Sequence, residues 1–505
     1  MVFEPNFTKV VSSERNNVCT TQSVIELKLP TNDNNISKIY SVGAKSTIIR
    51  NEVSGREVSF NGVVDFQAVY ESEGFSAIDY TAEFKDRFVC DKDLRGEVIL
   101  TSSVIDVSSS IVSGGIRVVA IVEISIDEIC SKDINILTSV SGDDVHVSNN
   151  DITYSTYLGK AYEKFDIGED IKLDNVKNVL MVTPCVSLSK VDPRDNYIIV
   201  NGKLGLDVCY QSGDNINDIS THHFDVGFDW EVAFDGVESN SIVQSVVDII
   251  TNEIKISTTI DNGTANMNVF VPITYSGYVF KENTVMVVED LYLEKNYISI
   301  TCENFYTIEC NNSISFKDNI SGTASVLDTA PFIDEVLGVS TNNIVLASSR
   351  VSDSKLYIEG IVNSTVVYFT KETNEITSVQ VEMPFAVEQK VEGGFASVVT
   401  MCLDNLSARS KRGKEIEVSA ELNVFADVYG RRQECVVTDV VVTGEKSREE
   451  CSIVIYVVKP NQTIWDVAKE TNVSQELILE QNPNVELPLK TGDKLVVYKP
   501  NLMMF

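Results

Sequence analysis

The sequence predicts a mainly β protein: three tandem β-sandwich or barrel-like domains followed by a small βααβ unit. Three observations lead there. One stretch recurs three times, Val- and Ile-rich runs show partial period-two alternation, and helical signals are confined to the last fifty residues. Length agrees, because 505 residues at roughly 100 to 200 per domain ask for three to five domains.

The recurring stretch aligns without gaps. Glu57 to Tyr70, Tyr197 to Tyr210 and Lys355 to Tyr368 each carry a glycine (Gly62, Gly202, Gly360) eight residues before the closing tyrosine. The glycines lie 140 and 158 residues apart, too far for solenoid repeats of about 20 to 50 residues, so each copy marks a whole domain. Val/Ile-rich segments precede them, at Ile39 to Val42, Val179 to Val182 and Val336 to Val339. Aromatic anchors follow: Phe84 and Phe88; Phe224, Phe228 and Trp230; Phe385. Gly-bearing turns between alternating runs, at 113–115, 261–263 and 411–413, signal hairpins. The repeated glycine reads as a strand bulge or close backbone approach, and the tyrosine as a packing residue. The expected boundaries are 1–19 for a leader, 20–163, 164–322 and 323–448 for the three repeats, and 452–500 for the last unit, after a 445–450 hinge.

In that last unit Ile453 to Val458 reads as a strand and Thr463 as a helix cap. The Thr463 hydroxyl can accept from the Asp466 backbone N–H, and Asp466 sits well in the positive first turn. Ile464, Val467 and Ala468 form the buried seam of this helix. Ser474 caps a second helix, which stops before Pro483, and Leu495 to Tyr498 closes as a strand.

Charge excludes whole classes of partner. Lys and Arg number 41 against 74 Asp and Glu, a net charge of -33, which repels polyphosphate and anionic lipid, so neither nucleic acid nor membrane insertion is expected. No basic-to-apolar leader and no apolar run near 18 residues is visible, so neither an export signal nor a span is expected. Ten cysteines at wide spacings, without Cys-x-x-Cys, predict reduced, mostly buried thiols of a cytoplasmic protein.

The enzyme inventory is thin. Only His146, His222 and His223 could serve Cys-His or Ser-His chemistry. His222-His223 reads as a loop or strand-edge pair, with no metal-spaced third ligand near in sequence. No hydrolase, zincin, dinucleotide or P-loop motif occurs. No catalytic residue, cofactor or metal is therefore assigned.

Tyr456, Pro460, Thr463, Trp465 and Ala468, then Asn472-Val473-Ser474, Leu477, Asn482-Pro483 and Thr491-Gly492-Asp493-Lys494-Leu495, resemble a LysM domain almost position for position. The resemblance implies an N-acetylglucosamine-type glycan groove, here Pro460, Asn461, Gln462 and Thr463 facing Asn482, Pro483, Leu487, Pro488 and Leu489. Some LysM domains bind proteins instead. Asn461-Gln462 replaces the family's Gly-Asp at the turn bordering that groove, which leans toward a protein partner. The whole architecture is similar to the SipL-type spore coat morphogenetic proteins, and more distantly to the SpoVID type. That resemblance implies a mother-cell protein at the forespore surface and spore coat, whose LysM domain binds the coat-basement ATPase SpoIVA and which recruits other coat proteins. The alternative is a peptidoglycan-binding protein of a wall-associated or phage-tail assembly.

Two further features bear on partners. Residues 452–499 carry a net charge of only -1, so this unit can approach a partner without the repulsion of the rest. Trp465 falls on a helix flank beside Ile464, either an anchor for a partner or a cover for the small core, and Ile453 and Ile455 present apolar surface on one strand face. Arg409, Lys411, Arg412 and Lys414 cluster at a hairpin turn, either a solvated turn or a cationic docking tip.

Overall fold

Each repeat is a pair of antiparallel sheets, and the computed structural model describes them over residues 3–31, 35–72, 75–142, 144–213, 219–309, 313–326, 331–446 and 453–498. The first unit runs β1 (Glu4–Leu29), β2 (Lys38–Ser54), β3 (Glu57–Glu71), β4 (Phe75–Val89), β5 (Glu97–Val112) and β6 (Gly115–Ser141). Its sheets are β1-β6-β5 and β2-β3-β4. The second unit repeats the plan with β7 (Val145–Asp174), β8 (Asn178–Arg194), β9 (Tyr197–Gln211), β10 (Ile219–Ala233), β11 (Ile242–Ile249), β12 (Lys255–Asp261) and β13 (Thr264–Leu293). Here β11 and β12 pair with successive parts of β13, whose other edge takes β7, over the sheet β8-β9-β10. The third unit has β14 (Asn296–Glu309), β15 (Ser313–Ser325), β16 (Ile333–Ser352), β17 (Lys355–Thr370), β18 (Ile376–Lys390), β19 (Ala396–Lys411) and β20 (Glu415–Glu445). In it β14 and β15 together flank β20 opposite β19, over β16-β17-β18.

Period-two patterning builds each sandwich. Along β6, Val118, Ala120, Val122, Ile124 and Ile126 are all fully buried while their neighbours face out. The repeated glycine is explained at once. Gly62, Gly202 and Gly360 lie directly opposite Phe84, Phe228 and Phe385 on the next strand. The strand on the other side bulges at Ile48/Arg50, Leu188/Lys190 and Leu346/Ser348, beside the same glycines. The tyrosines face a second set of bulges, at Ile39/Ser41, Val179/Met181 and Val336/Gly338. Eight residues is thus the distance between two bulges that curl each sheet. The expected turns close with positive φ at Gly114, at Asn262-Gly263 and at Arg412-Gly413.

The expected boundaries meet a different arrangement. Residues 19 and 20 lie inside β1, 163 and 164 inside β7, and 322 and 323 inside β15. Strand pairing instead groups 4–141, 145–293 and 296–445. The first and last strands of each unit run past the sandwich as ribbons, and the three ribbons pack together as a three-sided prism. Val10, Ile134, Ile152, Val287, Phe305 and Val436 form one layer of its core; Leu137, Val288, Leu291, Val437 and Val440 form another. Around the axis, buried and half-buried hydroxyls tie the first strands together. Ser12 donates to the Tyr306 carbonyl (3.1 Å), Thr156 to that of Val11 (2.7 Å) and Ser155 to that of Ile308 (2.7 Å). The expected leader is thus part of β1, and its Ser12, Ser13 and Arg15 are buried. The hinge residues 447–450 lie outside the described residues.

The cysteines depart from expectation. Cys185 on β8 and Cys402 on β19 are joined as a disulfide, 217 residues apart, with Cα atoms 6.0 Å apart. Cys302 and Cys435 are exposed.

Candidate functional site

The C-terminal module folds as β21 (Ile453–Val457), α1 (Ile464–Thr471), α2 (Gln475–Gln481) and β22 (Lys494–Tyr498), with the two strands antiparallel. Thr463 caps α1 in a reciprocal box: the Asp466 N–H donates to its Oγ1 (3.3 Å) and its own N–H donates to Asp466 Oδ2 (2.7 Å). Asn472 closes α1 in the left-handed conformation (φ 55°), and Ser474 caps α2 through the Leu477 N–H (3.2 Å). Val467, Ala468, Ile478, Leu495 and Val497 make a small core, and Tyr292 from β13 joins it.

Tyr292 reaches in because the module sits on the end of the prism. A register shift between Val288 and Asp290 re-aims the end of β13. Asp290 then accepts from Trp465 Nε1 (2.8 Å) and from Lys469 Nζ (2.6 Å). Tyr292 donates its hydroxyl to the Val473 carbonyl (2.9 Å) and meets the Trp465 ring edge-on at 5.2 Å. Burial holds the Tyr292 hydroxyl above the usual phenol range, which keeps it a donor. His146 stacks on the Tyr292 ring at 4.8 Å and hydrogen-bonds Glu294 (2.8 Å). Lys446 bonds the Leu293 carbonyl (2.6 Å) and Asn472. Trp465, a candidate anchor or a cover for the small core, is half-buried: it packs on the module core and lies in this internal joint.

Two surfaces of the module face solvent. One is the outer face of its sheet, where Ile453 (71% exposed), Ile455 (66%), Val457, Val496 and Tyr498 lie together. Ile453 pairs with Tyr498 and Ile455 with Val496, so these side chains form one apolar patch. The other is the groove between the two loops. Its polar groups are largely engaged within the module. Gln462 accepts from Tyr456 Oη (3.0 Å) and the Lys459 N–H (2.9 Å), and donates to Glu470 (2.9 Å). Asn482 donates to the Ile478 and Val496 carbonyls (2.8 and 2.7 Å) and accepts from the Val496 N–H (2.8 Å). Thr463 serves the cap. Pro460, Asn461, Pro483, Leu487 and Pro488 are exposed, whereas Leu489 packs on the module core.

The basic turn lies elsewhere, between β19 and β20. Arg409 and Lys411 share the Glu417 carboxylate (2.5 and 3.5 Å), and Arg409 holds that carboxyl below its usual range. Lys414 lies over the Phe332 ring at 4.5 Å, and Arg412 is exposed. His222 and His223 do fall on an edge strand, β10. What spacing could not reveal is Asp404, 201 residues beyond Lys203, whose side chain it meets beside His223.

No helix among the described residues is long and apolar enough to cross a membrane. Residues 175–257 match the family model of the SipL, SPOCS domain, covering β8 to β11 and reaching into β12. Residues 456–497 match that of the LysM domain. No curated protein and no solved structure matches the chain. The chain therefore carries a SipL-type domain of the sporulation coat and a C-terminal LysM domain, both binding rather than catalytic modules.

Proposed function

We propose that this chain is a non-catalytic morphogenetic scaffold of the spore coat, acting from the mother cell at the forespore surface. Its LysM domain holds a SpoIVA-type coat-basement ATPase, and its three β units recruit other coat proteins. The observation that carries this reading is the apolar outer face of the LysM sheet. Five neighbouring apolar side chains stand in water there, a composition suited to the core of a protein interface. A glycan groove needs free polar groups, and in the corresponding loops Gln462 and Asn482 spend theirs inside the module. The near-neutral charge of residues 452–499 suits the same role.

Co-expression with a SpoIVA-type ATPase tests it, using the full chain, a chain ending at residue 451, and the full chain with Ile453→Asp and Ile455→Asp. Co-purification with the first alone is the expected result. If the double variant binds as the full chain does, the sheet face is not the contact. Retention of the full chain on peptidoglycan, without ATPase binding, would replace the scaffold reading with a glycan-binding one.

A further inference from the structure

We infer that His223, Asp225 and Asp404 form a binding site for a divalent transition cation of the zinc class, at the junction of the second and third units. His223 and Asp225 come from β10, and Asp404 from β19. His223 Nε2 lies 3.1 Å from Asp225 Oδ1 and 4.0 Å from Asp404 Oδ1, and the three atoms all fall within 4.8 Å of one another. Zinc bonds of about 2.0 to 2.2 Å place tetrahedral neighbours roughly 3.3 to 3.6 Å apart, so small side-chain shifts complete the set. The half-exposed Asp225 leaves a side open to a water as fourth ligand.

Asp404 supplies an observation independent of the clustering. Its side chain is 1% exposed, and its Oδ1 has no hydrogen-bond partner among the described residues. The other oxygen is fully used, by Asn423 Nδ2 (2.6 Å) and by Lys203 Nζ. A buried carboxylate oxygen without a donor is costly, and a cation between it and the imidazole removes that cost. Gly205 keeps the space open: a Cβ there would lie 2.8 Å from Asp404 Oδ1 and 3.1 Å from the His223 ring.

The imidazole is already oriented for the task. Asp207 Oδ1 sits 2.7 Å from His223 Nδ1, so a proton held on Nδ1 leaves the Nε2 lone pair facing Asp225 and Asp404. This carboxylate–imidazole pairing is the support that metal-ligating histidines usually have. Charge agrees. Asp207, Asp225 and Asp404 against Lys203 leave two uncompensated negative charges around a neutral imidazole, which one divalent cation balances. A proton on Nε2, the competing occupant, balances only one. A cation here would join the second unit to the third beside the Cys185–Cys402 disulfide, where Cys185 pairs with Gly205.

The experiment uses the full chain stripped with chelator, then dialysed against micromolar Zn²⁺ or Co²⁺. The expected result is one equivalent of metal lost in His223→Gln and in Asp225→Asn but kept in His146→Gln, with the visible d–d absorption of four-coordinate Co²⁺ lost in parallel. Asp207→Asn should weaken binding by about 10- to 100-fold. Asp225 is half-exposed, so its variant keeps the test valid if His223→Gln disturbs folding by circular dichroism. Metal content equal in wild type and Asp225→Asn would assign the metal to thiols and overturn the inference. So would the absence of bound metal in the wild type.

Discussion

Gly202 stands where a side chain has no room: a Cβ would fall 2.4 Å from the Phe228 ring and 2.4 Å from the Ser187 carbonyl oxygen. A ring can swing aside, but a carbonyl fixed in a strand ladder cannot. Gly202→Ala should therefore destabilise by about 1–3 kcal/mol, read as a lowered urea midpoint. Gly168→Ala, with nothing within 4 Å, should stay within about 0.5 kcal/mol of wild type. The same reasoning covers Gly360, whose Cβ would approach the Val345 carbonyl at 2.3 Å. Three glycines in one register were visible in the sequence as a packing constraint, because a residue chosen for lacking a side chain recurs with the aromatic that covers it. Buried charge was not visible. Burial pushes the Asp427 carboxyl from 3.8 up to about 6, although it accepts from the Ser245 N–H (2.6 Å) and the Ser313 hydroxyl (2.5 Å). Its folded value lies above its unfolded one, so the native state keeps a proton that the unfolded chain releases between about pH 4 and 6. This group's contribution is full below pH 4 and declines as pH rises through 6, by up to ~3 kcal/mol. Asp427→Asn should flatten that part of the pH–stability curve, measured as urea midpoints from pH 4 to 7.

The LysM element was legible almost residue by residue, since its caps, seam and closing strand depend on local signals. Thr463 and Ser474 cap as their spacing requires, and Val467 and Ala468 are buried. Helix periodicity placed Trp465 on the flank, but a flank can face solvent, a partner or another part of the chain. Here it faces Asp290, a residue 175 positions earlier. No local signal could expose that joint, because the bulge that aims Asp290 belongs to the pairing of β13 with β7. The joint has a direct test. Asp290→Ala removes the acceptor of both Trp465 and Lys469 while leaving the module core untouched. In a Trp230→Phe background, Trp465 fluorescence should shift to the red and α1 amides should exchange faster. The module itself should remain folded, because its cap and core do not use Asp290. Emission unchanged from wild type would mean that Tyr292 and Lys446 hold the module without this carboxylate. Thr463→Ala acts within the module instead, and should lower its stability by about 1 kcal/mol.

At the scale of the molecule, three sandwiches were foreseeable and the prism was not. Sandwich cores follow from period-two runs inside one repeat, whereas the prism is assembled from strand halves whose partners sit in different repeats. Its axis is lined by Ser12, Ser13, Ser155 and Thr307, residues that look like surface until the three strands meet. The consequence is that the units are not beads on a string. Val10, Ile134, Ile152 and Val287 of the first two units are covered by Phe305 and Val436 of the third. A chain ending at residue 293 keeps both earlier sandwiches but loses β14 and β20, leaving those side chains in water at roughly 1.5–3 kcal/mol each. Such a fragment should self-associate in sedimentation, bind a hydrophobic dye and unfold at lower urea than the same units in the full chain. Its two sandwiches should nevertheless keep their strand content, since the core around Phe66 lies within one unit and the core around Leu206 takes only Phe425 from another. A monomeric fragment with unchanged urea midpoints would show that the ribbons are passengers. The prism would then not be what fixes the three units against one another and sets the LysM domain at its end.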